Sequence, residues 1–386
     1  MERAAPAPHG YTIANDASLY IHVPFCAAKC PYCSFYSRPP GPLEIEAWLD
    51  ALDLEARLWR ERIGGRIPLR TVYVGGGTPT LLSLSQWRRL VAIVEQLGDT
   101  SSLIEASVEA DPSSLSEGHI AFWDGSFFSR ISLGVQSLHD AELRALGRRH
   151  DARDALRAME RVAASRLALS ADLIFGAPRQ TIRSWDASLR GCMEAGAVHL
   201  STYQLTLSPD TPMGRTAPAL PDGYPLYRWA QWLLPKKGLV QYEISSFARP
   251  GAERLHNLAY WRQEDVLALG PSAWGYIDGR RWTEPPTLEA WFDASKRGFP
   301  DPLARGETLR GRERAIEAAI LALRTRWGID KDRFAARWGR GLLGEIEAVL
   351  SSLPSRLIRD DGDSVALTSA GMRVGNAIWA EVLALA

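Results

Sequence analysis

The stretch YIHVPFCAAKCPYCSFYS, residues 20–37, decides how the chain is interpreted. Its first residues belong to an apolar run that predicts a strand over Leu19–Val23. Directly after that strand come Cys26, Cys30 and Cys33 with the spacing C-x3-C-x2-C. The spacing places three thiols on one loop at the carboxyl end of a strand, where α/β proteins commonly assemble their chemistry.

Three cysteines on one loop are well suited to an iron–sulfur cluster. Three thiolates can hold three irons of a cubane cluster and leave the fourth iron open to a small ligand. Two other interpretations stay open: a zinc site, which normally needs a fourth Cys or His, and three unrelated buried cysteines. Cys192, the fourth cysteine, lies in the helical stretch SWDASLRGCMEAGA and is predicted to be part of the core.

The composition sets further bounds. Lys+Arg and Asp+Glu each number 45, so the formal net charge is zero and no general attraction to nucleic acid or to anionic membranes is expected. Residues 1–16 are predicted to form a flexible tail that lacks the apolar segment of a signal peptide. No later apolar run approaches membrane-spanning length, so we expect a cytoplasmic protein without an integral membrane segment.

Short apolar strands alternate with amphipathic helical stretches in the first two thirds of the chain, which favours a parallel sheet or barrel. Between the first two strands, apolar residues recur at three- and four-residue steps from Ile45 to Ile63 and predict one buried helix face. Six strand–helix units indicate an incomplete (β/α)6 barrel in an α/β protein. The predicted strands are Leu19–Val23, Thr71–Val74, Leu103–Glu109, Arg130–Val135, Ala168–Phe175 and His199–Leu207.

The pattern changes from about Thr287, where helical spacing predicts a smaller domain. One apolar helical stripe of that domain runs from Phe334 to Leu350. Residues 357–368, LIRDDGDSVALT, predict two short strands around an Asp-Gly turn, and a helix follows from about Ser369, as in a winged helix. We therefore expect a tail over residues 1–16, a barrel with its extension over 17–285, and a helical, winged-helix-like domain over 286–386.

Glycine and polar residues follow four of the predicted strands, as a ligand site on a barrel would require. The three glycines of residues 73–80, YVGGGTPT, permit close backbone approach and offer N–H groups to a ligand, although a tight turn would explain them as well. Glu109 suits a ligand ammonium, with a helix cap or a surface salt bridge as alternatives. Gln136 and Arg148 could contact a carboxylate, and Asp172 could accept from ribose hydroxyls.

Together with the cysteine loop, these segments resemble the radical S-adenosylmethionine (SAM) superfamily, in particular its branch of oxygen-independent coproporphyrinogen III oxidases and HemW-type heme chaperones. The resemblance spans nearly the whole chain. It implies a radical SAM barrel with a [4Fe–4S] cluster on Cys26, Cys30 and Cys33, whose open iron chelates SAM. It also implies SAM contacts at matching positions: Tyr20 and Glu109 toward the methionine part, Tyr32 beside the adenine, and Gly76, Gly77, Thr78, Gln136, Arg148 and Asp172.

Two positions separate the members of this branch. The oxidases carry a further cysteine two residues after the third cluster ligand, and this chain has Phe35 there, which argues against the oxidase. The sequence His256-Asn257-x-x-Tyr260-Trp261 resembles the HNxxYW motif associated with heme in HemW-type chaperones. The resemblance thus implies heme ligation by His256, and a hydrogen-bonded structural histidine is the alternative.

Two departures point to a specialised relative. Ser34 stands where chaperones of this kind often have Asp, and Trp274 stands where a His is common. The implied partners are heme or another planar aromatic ligand, together with a heme-acceptor protein. Radical SAM methyltransferases and cyclopropane-forming enzymes, which act on heteroaromatic substrates, have similar core motifs and provide the second interpretation. In that case SAM cleavage would be coupled to a product.

Overall fold

The computed structural model describes residues 16–302 and 306–386, so the tail expected over residues 1–16 lies outside the described residues except for Asp16. None of the helices in these two ranges combines the length and the apolar character needed to cross a bilayer. The strands are β1 (Ala17–Val23), β2 (Ile67–Gly76), β3 (Gly98–Asp99), β4 (Glu105–Ala110), β5 (Arg130–Gln136), β6 (Ala168–Phe175), β7 (His199–Gln204), β8 (Val240–Gln241), β9 (Ser246–Ala248), β10 (Val266–Leu269), β11 (Trp274–Ile277), β12 (Arg280–Thr283), β13 (Glu307–Thr308), β14 (Ile329–Asp330), β15 (Ile358–Asp360) and β16 (Ser364–Leu367). The helices are α1 (Glu44–Ile63), α2 (Leu84–Leu97), α3 (Glu117–Asp124), α4 (Asp140–Ala145), α5 (Ala152–Ala163), α6 (Ile182–Glu194), α7 (Pro212–Thr216), α8 (Gly223–Lys236), α9 (Leu255–Trp261), α10 (Leu288–Lys296), α11 (Gly311–Leu323), α12 (Lys331–Trp338), α13 (Arg340–Ser352), α14 (Ser369–Met372) and α15 (Gly375–Leu383).

The six predicted strands are present and lie side by side in the order β1-β2-β4-β5-β6-β7, all parallel. β10 pairs in parallel with the free edge of β1, so the parallel row in the described ranges contains seven strands instead of six. Antiparallel strands extend both ends of the row. In these ranges the two ends of the row are not paired with each other, as the prediction of an incomplete barrel requires.

Helix α1 covers the sheet with the face that the sequence predicts. Trp48, Leu52 and Trp59 are fully buried, and the Leu52 side chain alone contributes roughly 1.5–3 kcal/mol by leaving water. The helix ends at Gly64, whose left-handed conformation (φ +83°) lets its N–H donate to the carbonyl of Arg60. Cys192 in α6 is also fully buried, which confirms its assignment to the core.

The interior of the barrel is polar, and its base is closed by a late segment of the chain. The carboxylate of Glu105, at the start of β4, accepts the N–H groups of Leu255 and His256 at 3.2 and 3.1 Å. Arg130, at the start of β5, forms an ion pair with Glu105 at 3.2 Å and donates to the carbonyl of Ala252 at 2.9 Å. Helix α9 is therefore fastened to the amino ends of the strands.

A second core lies in the C-terminal part of the chain, where β14, β16 and β15 form an antiparallel sheet. β15 and β16 flank the predicted Asp-Gly turn. The single helix expected from Phe334 to Leu350 is instead two helices, because Gly339 adopts φ +95° between α12 and α13. The helix expected from Ser369 is likewise divided into α14 and α15.

The boundary expected at residue 286 stays a prediction, and the packing favours a later division. Leu288, Trp291 and Phe299 belong to the core of the barrel. The second core begins with Ala315.

Two carboxyl groups are buried together beneath the end of β10. Glu55 accepts the N–H of Gly270 at 2.9 Å and the indole N–H of Trp291 at 3.3 Å, and its carboxyl group also contacts Glu284. Burial raises the pKa of Glu55 well above 4.5, and the neighbouring Glu284 raises it further. Two buried carboxyl groups in contact are stable only if one of them keeps a proton, so Glu55 and Glu284 share at least one.

We predict that Glu55→Gln makes stability less dependent on pH. Because the folded protein keeps a proton that the unfolded chain releases, stability falls as pH rises above the unfolded value near 4.5, by at most about 1.4 kcal/mol per pH unit. Urea midpoints measured between about pH 5 and 8 should fall less in Glu55→Gln than in the parent. Glu61→Gln, an exposed change on the same helix, is the control. Identical pH profiles for the Glu55→Gln variant and the parent would contradict this account.

Candidate functional site

A cavity of about 460 Å³ lies at the carboxyl ends of the parallel strands. The segment between β1 and α1, residues 24–43, forms one side of it and is called the cysteine loop below. Of the thirteen predicted site residues, Tyr20 and His256 do not line the cavity. The eleven that do are Cys26, Cys30, Cys33, Tyr32, Gly76, Gly77, Thr78, Glu109, Gln136, Arg148 and Asp172.

The cysteine loop is folded back on itself, with all three thiols at the cavity. The N–H of Cys26 donates to the carbonyl of Arg38 at 3.0 Å, and the N–H of Arg38 donates back to the first residue of the loop at 3.0 Å. The N–H of Cys33 donates to the carbonyl of Cys30 at 3.1 Å, which forms a tight turn between these two residues. The backbone of the loop therefore fixes the positions of the thiols.

The sulfur atoms are placed among hydrogen-bond donors. Thr78 Oγ1 donates to Cys26 Sγ at 3.3 Å, and Arg148 Nη1 donates to Cys30 Sγ at 3.5 Å. Burial raises the pKa of the Cys33 thiol. Thr78 and Arg148 thus place hydrogen-bond donors beside two of the three sulfurs.

A cubane cluster fits this donor set. Across residues 16–302 and 306–386, no three Cys, His, Asp or Glu side chains converge on a single metal ion. A four-iron cluster makes a different demand, since each thiolate binds its own iron. Cys26, Cys30 and Cys33 would supply three such ligands and leave one iron open.

The glycine turn after β2 lies directly against the cysteine loop. A Cβ on Gly77 would lie 2.5 Å from the carbonyl oxygen of Phe25 and 2.7 Å from that of Val23. The N–H of Gly77 donates to Val23 at 2.7 Å, and the N–H of Gly76 donates to Glu109 at 2.9 Å. The N–H groups of Gly76 and Gly77 are therefore not free for a ligand, contrary to the expectation, because the protein itself uses them to hold the turn in place.

Glu109 lies at the end of β4, and each of its carboxylate oxygens is held by a hydrogen bond. Its Oε1 accepts the hydroxyl of Tyr73 at 2.7 Å, and its Oε2 accepts the N–H of Gly76 at 2.9 Å. Burial raises the pKa of Glu109, while these two hydrogen bonds act in the opposite direction. A carboxylate held in this way at the cavity suits a ligand ammonium.

Gln136 is held in an unusual backbone conformation at the cavity. Its φ of +63° coincides with an irregularity in the pairing of β5 with β6. A non-glycine residue in this conformation costs on the order of 1–3 kcal/mol and typically occurs at functional sites. Gly134 leaves room for the amide, since a Cβ there would lie 3.0 Å from Gln136 Nε2.

Arg148 is held by Asp111, a residue outside the predicted site. The guanidinium donates to the Asp111 carboxylate and, at 3.0 Å, to the carbonyl of Gly134. Burial would raise the pKa of Asp111, but the charge of Arg148 and the hydrogen bonds from Ser113 lower it. The available signal was its position two residues after Glu109, at the end of the same strand.

Asp172 and Tyr32 form two further parts of the cavity wall. Ser132 donates to Asp172 Oδ2 at 2.6 Å, whereas the buried Oδ1 has no hydrogen-bond partner and is suited to a hydroxyl donor. The ring of Tyr32 packs against an apolar group that includes Ile174 and Met213. This wall is suited to a flat aromatic base.

Tyr20 and His256 lie inside the barrel, away from the cavity lining. The hydroxyl of Tyr20 is bonded to Nδ1 of His22 at 3.0 Å. His256 is 1% exposed, and its ring stacks on Tyr73 with centroids 5.1 Å apart. Their assignment to SAM and to heme stays a prediction. Arg254 and Tyr203 also line the cavity but lie outside the predicted site, since no motif contains either residue.

We predict that Gly77→Ala prevents normal cluster assembly. The added Cβ would meet two backbone carbonyls within 2.7 Å, so the cysteine loop would have to move. Iron and sulfide content after anaerobic reconstitution should fall by at least about half, judged against the parent protein. Gly65→Ala is the matched control, because nothing lies within 4 Å of its added Cβ. Full iron content in Gly77→Ala would show that the loop tolerates the change.

Comparison with protein-family models matches residues 20–190 to the Radical SAM superfamily and residues 309–374 to the HemN C-terminal domain. Among solved structures, coproporphyrinogen III oxidase (HemN) from Escherichia coli matches with a TM-score of 0.83 and covers 96% of this chain and 91% of that one. At 21% sequence identity this match shows a shared fold only.

Relatives with similar sequences cover nearly the whole chain. Heme chaperone HemW from Bacillus subtilis is 33% identical over 377 residues, which is 95% of this chain and 99% of that protein. Heme chaperone HemW from Synechocystis is 35% identical over 338 residues, 82% and 80% of the two chains. This chain therefore belongs to the HemW family of the radical SAM superfamily.

Proposed function

We propose that this protein is a heme chaperone of the cytoplasm that binds heme and passes it to an acceptor protein. This function is supported by relatives that are named heme chaperones and that align with nearly the full length of this chain. The observation within the chain that carries it is the free nitrogen of His256, in the HNxxYW segment.

Hydrogen bonding determines the tautomer of His256. The hydroxyl of Thr71 donates its only proton to Ser18 Oγ at 2.8 Å. Thr71 Oγ1 must then accept from His256 Nδ1, which lies 2.8 Å away, so Nδ1 carries the proton. Nε2 keeps its lone pair and has no hydrogen-bond partner. A histidine that donates through one nitrogen and keeps the other free is in the form that ligates a metal.

The imidazole is also neutral. Burial, together with the nearby charge of Arg254, lowers the pKa of His256 to about 3. Neutral imidazole is the form that binds heme iron. A buried acceptor without a partner costs stability, so the unpaired Nε2 supports a role in ligand binding.

Heme reaches this nitrogen only if α9 moves. His256 lies between Tyr73 and Thr71 in the barrel interior, and Glu105 holds the first N–H groups of α9. Release of α9 would expose the imidazole together with Tyr260, whose ring meets it edge to face at 5.5 Å. An aromatic side chain beside the ligand could then pack against the porphyrin.

We further propose that Cys26, Cys30 and Cys33 hold the cluster and that the cavity binds SAM. Bound SAM and a reduced cluster would supply a deoxyadenosyl radical. The chain's own contribution is positioning, with Glu109 for the ammonium, the apolar wall at Tyr32 for the base and Asp172 for the sugar. Heme transfer does not require turnover of SAM.

We expect heme titrated into anaerobically reconstituted protein to bind with one saturable Soret transition. His256→Ala removes the free nitrogen and should weaken binding at least about tenfold. His139→Ala, a change at a histidine outside the barrel interior, is the control. Absence of saturable binding in the parent would exclude the chaperone function. It would favour a SAM-dependent enzyme for heteroaromatic substrates, in which SAM cleavage is coupled to product.

Thr71→Val tests the role assigned to the tautomer. The variant loses the acceptor for Nδ1–H, and loss of such a partner typically weakens metal ligation about 10- to 100-fold. The expected Soret titration therefore shows weaker heme binding than the parent, with full iron–sulfur content. Thr308→Val, an exposed change on β13, should bind as the parent does. Equal heme affinity in Thr71→Val and the parent would remove the argument from the tautomer.

A further inference from the structure

Arg254 is a cation inside the barrel that the predicted site does not include. It immediately precedes α9, is 2% exposed, and contributes to the lining of the cavity. Its backbone is fixed at the base of the barrel by its neighbours. Arg130 donates to the carbonyl of Glu253 at 3.2 Å, and Glu105 accepts the N–H of Leu255 at 3.2 Å. The side chain thus extends from the fastened base toward the cavity.

The guanidinium is bonded to hydroxyl groups. Nη2 donates to Ser132 Oγ at 2.5 Å and to Ser170 Oγ at 2.7 Å, and Nη1 donates to the hydroxyl of Tyr73 at 3.4 Å. The carboxylate paired with it is Asp172, whose Oδ1 lies 3.7 Å from Nη2. The charge of Arg254 therefore compensates that of a buried carboxylate at the cavity.

Ser132 links Arg254 to Asp172 by two hydrogen bonds whose donors and acceptors are fixed. An arginine side chain can donate but not accept, so Ser132 Oγ accepts from Arg254. The one proton of the serine hydroxyl is then directed to Asp172 Oδ2, at 2.6 Å. Asp172 Oδ1 is buried and has no hydrogen-bond partner. Oδ2 accepts a hydrogen bond from the protein, whereas Oδ1, although 3.7 Å from Arg254 Nη2, accepts none and is left for a ligand.

We propose that Arg254 is a positioning residue of the cofactor cavity, which fixes Asp172 through Ser132 so that Oδ1 accepts the sugar hydroxyls of the nucleoside cofactor. The fastened base of the barrel thereby sets the geometry of the cavity wall. The proposal depends on the SAM site of the superfamily and not on heme, so a negative heme titration would leave it unaffected.

The test is the dissociation constant of SAM, measured by equilibrium dialysis on anaerobically reconstituted protein. Arg254→Met should weaken SAM binding about tenfold at unchanged iron content, since Asp172 loses both its charge partner and its fixed orientation. Arg254→Lys keeps the charge but cannot bond both serines in the same way, so about threefold weaker binding is expected. Arg333→Met, at a side chain that is 90% exposed, should leave the affinity unchanged.

A double-mutant cycle separates positioning from general stability. Asp172→Asn alone should also weaken SAM binding, and adding Arg254→Met to it should cost less than about twofold more, because both changes affect one contact. Unchanged SAM affinity in Arg254→Met would overturn the proposal. So would a double variant whose loss of SAM affinity equals the product of the losses in the two single variants. If Arg254→Met fails to fold, Arg254→Lys decides: weaker binding at full iron content supports the proposal, and parental affinity refutes it.

Discussion

The site depends on the contact between two backbone segments, the glycine turn after β2 and the start of the cysteine loop. Gly77 donates to the carbonyl of Val23 at 2.7 Å, and Thr78 donates to that of Phe25 at 2.7 Å. No side chain fits between these segments, because a Cβ on Gly77 would lie 2.5 Å from the Phe25 oxygen. The parallel pairing of β1 with β2 brings the segments together, so the position of the thiols follows from the register of the sheet.

The barrel has two ends with different chemistry, and a polar interior joins them. Thiols, carboxylates and a cavity lie at the carboxyl ends of the strands, and a buried ion pair fastens α9 at the amino ends. Hydroxyl groups such as those of Ser132 and Ser170 accept hydrogen bonds from the cation between them, Arg254. Asp172 Oδ1 and His256 Nε2 are among the buried acceptors without a hydrogen-bond partner, and since such groups are costly when unpaired, both are suited to ligand contacts.

The features of the fold that could be predicted from the sequence are those that depend on local patterns of residues. The six parallel strands, the buried face of α1, the cysteine loop and the Asp-Gly turn all follow from spacing over a few residues. Most of the predicted cavity residues stand at strand ends, where parallel topology collects them without further information. The resemblance to the radical SAM superfamily implied which of these residues would contact the cluster and SAM, a question that spacing alone leaves open.

Long-range partners could not be predicted in this way. Arg254 reaches Ser132 across 122 positions, and neither residue stands in a motif that pairs them. The N–H groups of the glycine turn are occupied because of contacts with β1 and β4, which the turn's own sequence does not contain. Gly339 divides the helix expected from Phe334 to Leu350 although the apolar spacing continues across it. A single positive φ does not change that spacing, so the spacing could not predict the break.

The pairing of β1 with β10 also has a consequence for biosynthesis. β1 leaves the ribosome long before its second neighbour in the sheet, β10, which begins only at Val266. Over the intervening length of chain, one edge of a strongly apolar strand lacks its partner, and such edges recruit strands from other molecules. The nascent chain is thus exposed to misassembly until β10 emerges, and covering that edge during synthesis would favour a productive yield.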